Sequence, residues 1–154
     1  MPSLSFMKCW KDKVRSGEKR QTIRRYNYTE VMTEHGLLFK PSVRHAPGLT
    51  EHLFSGMRTK YCERLGRARC TGVALIMRDS GRHGWRFLCQ IGRRNPAFAG
   101  KKWNDTIGPR RLFVLARQDG FETDWEFDSW FKDAKPGDVY QIITWGKLEK
   151  GGAA

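Results

Sequence analysis

The stretch from residue 70 to 91 constrains the fold most. Val73, Leu75 and Met77 alternate with Gly72, Ala74 and Ile76, and a turn signal follows at Asp79, Ser80 and Gly81. Trp85, Phe87, Cys89 and Ile91 then alternate with Arg86, Leu88 and Gln90. Two period-two runs across a short polar turn predict an antiparallel β-hairpin. Residues 49–56 and 139–145 read as further strands, the second buried on one face, and Leu4–Met7 as a short strand or helix lead-in.

Helical spacing occurs elsewhere. Phe6, Trp10 and Val14 recur every fourth residue and predict a short helix that Gly17 stops. Residues 109–120 open on Pro109 and place Leu112, Leu115, Ala116 and Asp119 at i, i+3, i+4 and i+7, with Gly120 as the stop. Thr123 and Glu126 form a capping-box pattern before a stripe of Phe127, Trp130, Phe131 and Ala134. Residues 26–47 show no sustained period and read as a long loop with one turn of helix at most; 135–138 read as a turn and 151–154 as a flexible tail. Strands and helices do not alternate regularly. A doubly wound sheet is therefore disfavoured, and an α+β domain with a largely antiparallel or barrel-like sheet is expected.

At 154 residues one domain is expected, and 12% aromatic residues provide for a packed core, unlike a disordered basic tail. The apolar runs at 72–77 and 112–116 are too short to span a bilayer, and the first thirteen residues lack the apolar core of a secretory signal. Cys9, Cys62, Cys70 and Cys89 are dispersed, with no Cys-x-x-Cys pair, and His35, His45, His52 and His83 supply no metal-ligand pairing. The expectation is reduced thiols, mostly buried, in a cytoplasmic protein without metal or cofactor. The basic loop 92–102 lacks both G-x-G-x-x-G and the P-loop Lys-Ser/Thr ending, so it is not read as a nucleotide cradle.

The formal net charge of +13 is polarised along the chain. Residues 8–25 carry Lys8, Lys11, Lys13, Arg15, Lys19, Arg20, Arg24 and Arg25 against Asp12 and Glu18, a local net of +6. Residues 111–133 have a local net of −3. The basic segment is flanked by Trp10 and Tyr26, and further pairs occur at Arg93–Arg94 and Lys101–Lys102. Cations for phosphates with aromatic faces for bases suit single-stranded nucleic acid, whereas the basic helix is too short and too polar for a membrane surface. The bland alternative is a solvated basic face.

If residues 21–24 are extended, Ile23 points to the core while Thr22 and Arg24 share the opposite face. Asp119 is the odd carboxylate. It lies on the inward stripe of its helix and at the C-terminal end, where the macrodipole disfavours an anion by roughly 0.3–1 kcal/mol. Unless it is exposed at a fraying end or bonded to a loop, it needs a cation, and Lys19 or Arg24 are the candidates.

The segment from Ser16 to Arg24, with Leu4, Ser5 and Phe6 before it, resembles the signature of the ASCH family, a short helix followed by Gly-x-Lys-x-x-Thr-Ile-Arg. The patterns around residues 115–121, 127–131 and 142–145 are similar to that family too. The resemblance covers under half of the chain and is weaker over the longer middle, residues 26–110. It implies a PUA-like fold, a small β-barrel with helices packed at its openings, spanning residues 1–150 with an enlarged middle segment. It also implies a cleft for a nucleobase or nucleotide and RNA-related roles. Some small members hydrolyse N4-acetylcytidine with a Lys, a Thr and a Glu. Carried onto this chain these are Lys19, Thr22 and Asp119, the last one methylene shorter than Glu, with Arg24 as the motif's Arg.

Three functions are expected on these grounds. The first is binding of RNA or other single-stranded nucleic acid through Lys8, Trp10, Lys11, Arg15, Lys19, Arg20, Arg24, Arg25, Tyr26, Arg93, Arg94, Lys101 and Lys102. The second is amidohydrolysis of an N4-acylated cytidine or related modified nucleoside or nucleotide through Lys19, Thr22 and Asp119. The third is a regulatory protein-interaction module using the long loop 26–47. Binding stands ahead of catalysis because a fold does not by itself imply an activity.

Overall fold

A computed structural model describes residues 3–26, 32–33, 36–37, 45–79 and 84–149. The hairpin expected from residues 70–91 is its spine. Strand β6 (Glu63–Arg78) pairs antiparallel with β7 (Trp85–Gly92), in the register Val73 to Ile91 and Arg78 to Trp85. β6 starts earlier than its apolar alternation suggests, because Glu63–Ala68 pairs with β5 (Thr50–Ser55) rather than with β7. Its second half also pairs with β9 (Val139–Trp145), which in turn carries β2 (Gln21–Arg25). β1 (Ser3–Phe6) joins β5 in parallel, and β8 (Asp105–Ile107) closes on β7.

The result is an α+β fold with a strongly curled, mixed half-barrel of seven strands. The curl follows from bulges. The register of β6 shifts between Cys70 and Gly72, where the strand passes from β5 to β7 and β9. Gly72 is required there, since a Cβ would stand 2.6 Å from the Arg93 carbonyl oxygen. Two short strands, β3 (Met32–Thr33) and β4 (Gly36–Leu37), pair antiparallel inside the segment read as a loop. The remainder of that segment from 27 to 44, and the tail 151–154, lie outside the described residues.

Helix α1 (Lys11–Ser16) follows a 3₁₀ turn over Lys8–Trp10 and ends at Gly17, whose φ is +80°. Phe6 belongs to β1 and not to this helix. Its spacing of four from Trp10 arises because strand and helix meet over the same core. α2 (Pro109–Gln118) begins on its proline as expected. α3 (Asp124–Trp130) is capped by Thr123 Oγ1, which accepts from the Glu126 amide at 3.1 Å. The box is only half formed, because the Glu126 carboxylate accepts from the Glu122 amide. Trp130, expected to face inward, is 48% exposed, and Ala134 lies beyond the helix.

Two main apolar clusters fill the fold. One, including Ile23, Ile76, Trp85, Leu115, Phe127 and Ile142, lies between the sheet and helices α2 and α3. The other, including Leu4, Phe6, Val14, Leu53, Val73 and Ile143, lies between β1, β5 and α1. β9 is therefore buried on both faces, Ile142 toward one cluster and Ile143 toward the other, not on one as its pattern suggests. Trp10 packs against both clusters and marks their seam.

Candidate functional site

A cavity of ≈ 170 Å³ opens at that seam, with Ser5, Met7, Trp10, Lys19, Thr22, Arg24, Asp119 and Trp130 in its wall. β2 supplies the centre. Period two puts Ile23 into the helix-side core, while Thr22 and Arg24 project together toward β1, as expected. Arg24 Nε donates to Thr22 Oγ1 at 3.2 Å, its Nη2 donates to the Ser5 carbonyl, and its guanidinium lies 5.3 Å from the Phe6 ring centroid.

The end of α2 supplies the carboxylate. Asp119 is the C-cap, Gly120 follows with φ +99°, the Gly120 amide donates to the Arg117 carbonyl and the Phe121 amide to the Ala116 carbonyl. This is a Schellman turn, which needs glycine for its left-handed residue. It leaves the carbonyls of Asp119 and Gly120 pointing away from the helix, and two lysines from the first segment meet them. Lys13 Nζ donates to the Gly120 carbonyl at 2.6 Å, and Lys19 Nζ donates to that of Asp119 at 2.5 Å. Cations belong at this negative end of the helix dipole.

Lys19 Nζ also stands 3.1 Å from Asp119 Oδ2 and 4.7 Å from the Trp10 ring centroid. Both charged groups are buried. Burial pushes the Lys19 ammonium below its usual range, helped by Arg24 and Lys13 and opposed by Asp119. Burial likewise raises the Asp119 carboxyl to about 6, opposed by Lys19, by the Gln21 amide and by Arg24. The Gln21 amide, which has two N–H donors, also donates to the Leu115 carbonyl at 3.3 Å. Of the two cations proposed for Asp119, Lys19 makes the contact; the hydrogen bonds of Arg24 go to Thr22 and Ser5.

The other expected binding residues divide among different surfaces. Lys8 and Lys11 border a second cavity with Ser55, Gly56, Lys60, Tyr61 and Glu63. Lys11 bridges to Glu63 at 2.5 Å, and Arg15 pairs with the same carboxylate. Arg20, Arg93 and Arg94 converge on a third cavity behind Gln21, on the other face of β2. Arg25 pairs with Asp138 at 3.3 Å, and Tyr26 packs beside Leu75, Leu88 and Val139. Lys101 Nζ donates to the Thr106 carbonyl at 2.8 Å, and the Lys102 amide to Asp105 Oδ2, which ties both to the local loop.

Two thiols correct the sequence reading: Cys9 and Cys62 are exposed, Cys70 is buried and Cys89 half-buried, all four free. Among the described residues no His, Cys, Asp and Glu side chains group to hold a metal ion, and no helix is long and apolar enough to cross a membrane. Sequence reasoning missed Ser5, Met7 and Trp130 as cavity wall, and Gln21 as the buried link that accepts from Asn95 Nδ2 at 3.3 Å. A Gln in the inward phase of a strand was the available signal.

Known proteins add nothing to this geometry. No family model matches the chain, and no curated protein or solved structure does either. The ASCH resemblance therefore rests on the motif residues alone, four of which, Lys19, Thr22, Ile23 and Arg24, line the cavity.

Proposed function

We propose that this protein binds single-stranded nucleic acid, RNA before DNA, and seats one base in the cavity beneath Trp10. The observation that carries the reading is the convergence of the buried Lys19–Asp119 pair with Thr22, Arg24 and Trp10 on one small opening. At ≈ 170 Å³ it is below the roughly 300–1,000 Å³ of pockets that enclose whole cofactors or drugs, which suits one planar base with its sugar and phosphate outside. The Asp119 carboxyl lines the cavity and has acceptor capacity beyond its Lys19 contact, which suits an exocyclic amino group, so cytosine, adenine or guanine is favoured over uracil. Arg24 at the opening, and the lysines Lys8 and Lys11 on the turn and helix next to it, are the cations nearest to hold the backbone. The free thiols agree with a reducing, cytoplasmic setting.

The test is titration of a cytosine-containing single-stranded RNA at several salt concentrations. Affinity falls as salt rises, and Arg24→Ala weakens it. Binding indifferent to salt counts against the proposal.

A second reading is an amidohydrolase that converts N4-acetylcytidine and water to cytidine and acetate. What favours it is the buried pair itself: burial lowers the Lys19 ammonium and raises the Asp119 carboxyl to about 6, the latter near the range of a general acid. It ranks second because Lys19 Nζ is bonded to Asp119 and the Thr22 hydroxyl accepts from Arg24, so no hydrogen bond links Lys19 to its supposed nucleophile. Cytidine release that Lys19→Ala abolishes would promote it. Absence of turnover removes it.

A further inference from the structure

The cavity beneath Trp10 is too small for a nucleotide, so the remainder of the ligand must run along a neighbouring surface. A second cavity, ≈ 670 Å³ in volume, shares no lining residue with it but is bordered by the same run of chain, residues 5–11. Ser5 and Met7 line the first cavity; the 3₁₀ turn that follows turns Trp10 to the first and Lys8 to the second.

The far side of the second cavity is a loop pinned to β1, whose Ser5 and Phe6 line the first cavity. The Gly56 amide donates to the Phe6 carbonyl and the Met57 amide to Ser5 Oγ, each at 3.1 Å. Within the loop the amides of Thr59 and Cys62 bond to Gly56 and Thr59 carbonyls, and the Tyr61 amide donates to Thr59 Oγ1 at 3.2 Å. This bracing presents Tyr61 with 76% of its surface exposed and Lys60 Nζ 5.1 Å from its ring centroid. Lys8, Lys11 and Lys60 face one carboxylate, Glu63, in this cavity. An exposed aromatic ring on a braced loop, among excess lysines, is the arrangement that stacks a base and holds its phosphates.

We propose that this second cavity is a nucleotide subsite next to the base cavity, with Tyr61 as the stacking platform and Lys8 and Lys60 as phosphate contacts. The ligand is then a strand of at least two nucleotides rather than a free nucleoside. The inference rests on the base-binding reading above and goes beyond it by setting a minimum ligand length and the surface along which the strand runs.

The test compares cytidine monophosphate with a six-nucleotide oligocytidylate RNA on the full chain. The oligomer is expected to bind the unaltered protein much more tightly. Tyr61→Ala should weaken oligomer binding about 5- to 150-fold with an unchanged unfolding midpoint, and Tyr61→Phe should restore it. Replacing both Lys8 and Lys60 by Ala should reduce the slope of log affinity against log salt by about 1.4. Oligomer binding that Tyr61→Ala leaves unchanged overturns the second subsite. In that case monophosphate binding weakened by Arg24→Ala still supports the first cavity. Failure of both ligands to bind overturns the base reading and this inference with it.

Discussion

Lys19 and Asp119, a hundred residues apart, meet twice: Lys19 Nζ donates to the Asp119 carbonyl at 2.5 Å and stands 3.1 Å from its carboxylate, with 2% and 6% of the side chains exposed. One residue thus caps a helix C-terminus and neutralises the carboxylate placed there against the dipole. The contact also ties the loop that leads into β2 to the C-terminal end of α2, and both residues line the cavity.

Removing one member of this pair should be worse than removing both. Lys19→Met leaves a buried carboxylate without its cation and is expected to cost about 3–5 kcal/mol. The double variant Lys19→Met with Asp119→Leu should recover most of that loss, because no charge then remains to desolvate. The recovery stops short of complete, since the helix carbonyl loses its donor, about 1 kcal/mol. Urea unfolding of the single and double variants checks this, and a double variant as unstable as the sum of its singles would refute it.

The pair also predicts an inverted pH dependence. Asp119 rises from 3.8 to about 6 on folding, so between those values the folded state holds a proton that the unfolded state has released. Stability contributed by this group is full below pH 3.8, falls as pH rises toward 6 and then levels off, by about 3 kcal/mol in all. Lys19 is lowered, so its burial penalty is present while both states are protonated and is relieved as pH climbs from its folded-state value toward 10.5. Other carboxylates, such as Glu63 and Glu122, are held low by lysine and arginine and slope the opposite way. The informative quantity is the difference between the unaltered protein and Asp119→Asn. Urea midpoints at pH 4, 5, 6 and 7 should show the unaltered protein losing ground to the variant across pH 4–6.

Local patterns carried much of this into the sequence. The hairpin of β6 and β7, the strand β9 and the start of α2 stand where period and proline put them. The facing of Thr22 and Arg24 followed from period two alone. Asp119 was legible because an acid on an apolar stripe at a helix end contradicts two preferences at once. The first segment was half legible: the strand reading of Leu4–Met7 matches β1, but Phe6, Trp10 and Val14 pack from a strand, a 3₁₀ turn and a helix, which imitates one helix in spacing. Nor was the extension of β6 over Glu63–Ala68, whose charged residues take their place from β5 across the bulge and not from apolar alternation. The second cavity was invisible for the same reason, since β1 and residues 56–62 join only through tertiary hydrogen bonds.

Gly120→Ala tests how tightly the cavity depends on the Schellman turn. The residue sits at φ +99°, and a Cβ there would stand 3.1 Å from Trp10 Cζ3. Both the left-handed backbone and the indole resist the methyl group, so a loss exceeding about 1 kcal/mol is expected. Because Trp10 roofs the cavity, its fluorescence should shift in the folded variant and ligand affinity should fall with it. A variant with unchanged stability and emission would show that the turn has slack.

Glu63→Gln probes the electrostatics of the second cavity from the opposite direction. Lys11 first, and Arg15 with it, hold the Glu63 carboxyl below the ordinary range, so it is ionised at neutral pH and occupies both cations. The amide keeps the shape and removes the charge, which frees Lys11 and Arg15 for phosphate. Oligocytidylate RNA should therefore bind the variant more tightly at low salt, with a steeper salt dependence, and the gain should vanish near 1 M salt, where screening reaches about 3 Å. The surface position makes the change nearly neutral for folding, so weaker binding could not be blamed on unfolding. It would mean instead that Glu63 orients Lys11 for the ligand, and Glu63→Asp, which keeps the charge, should then restore affinity in part.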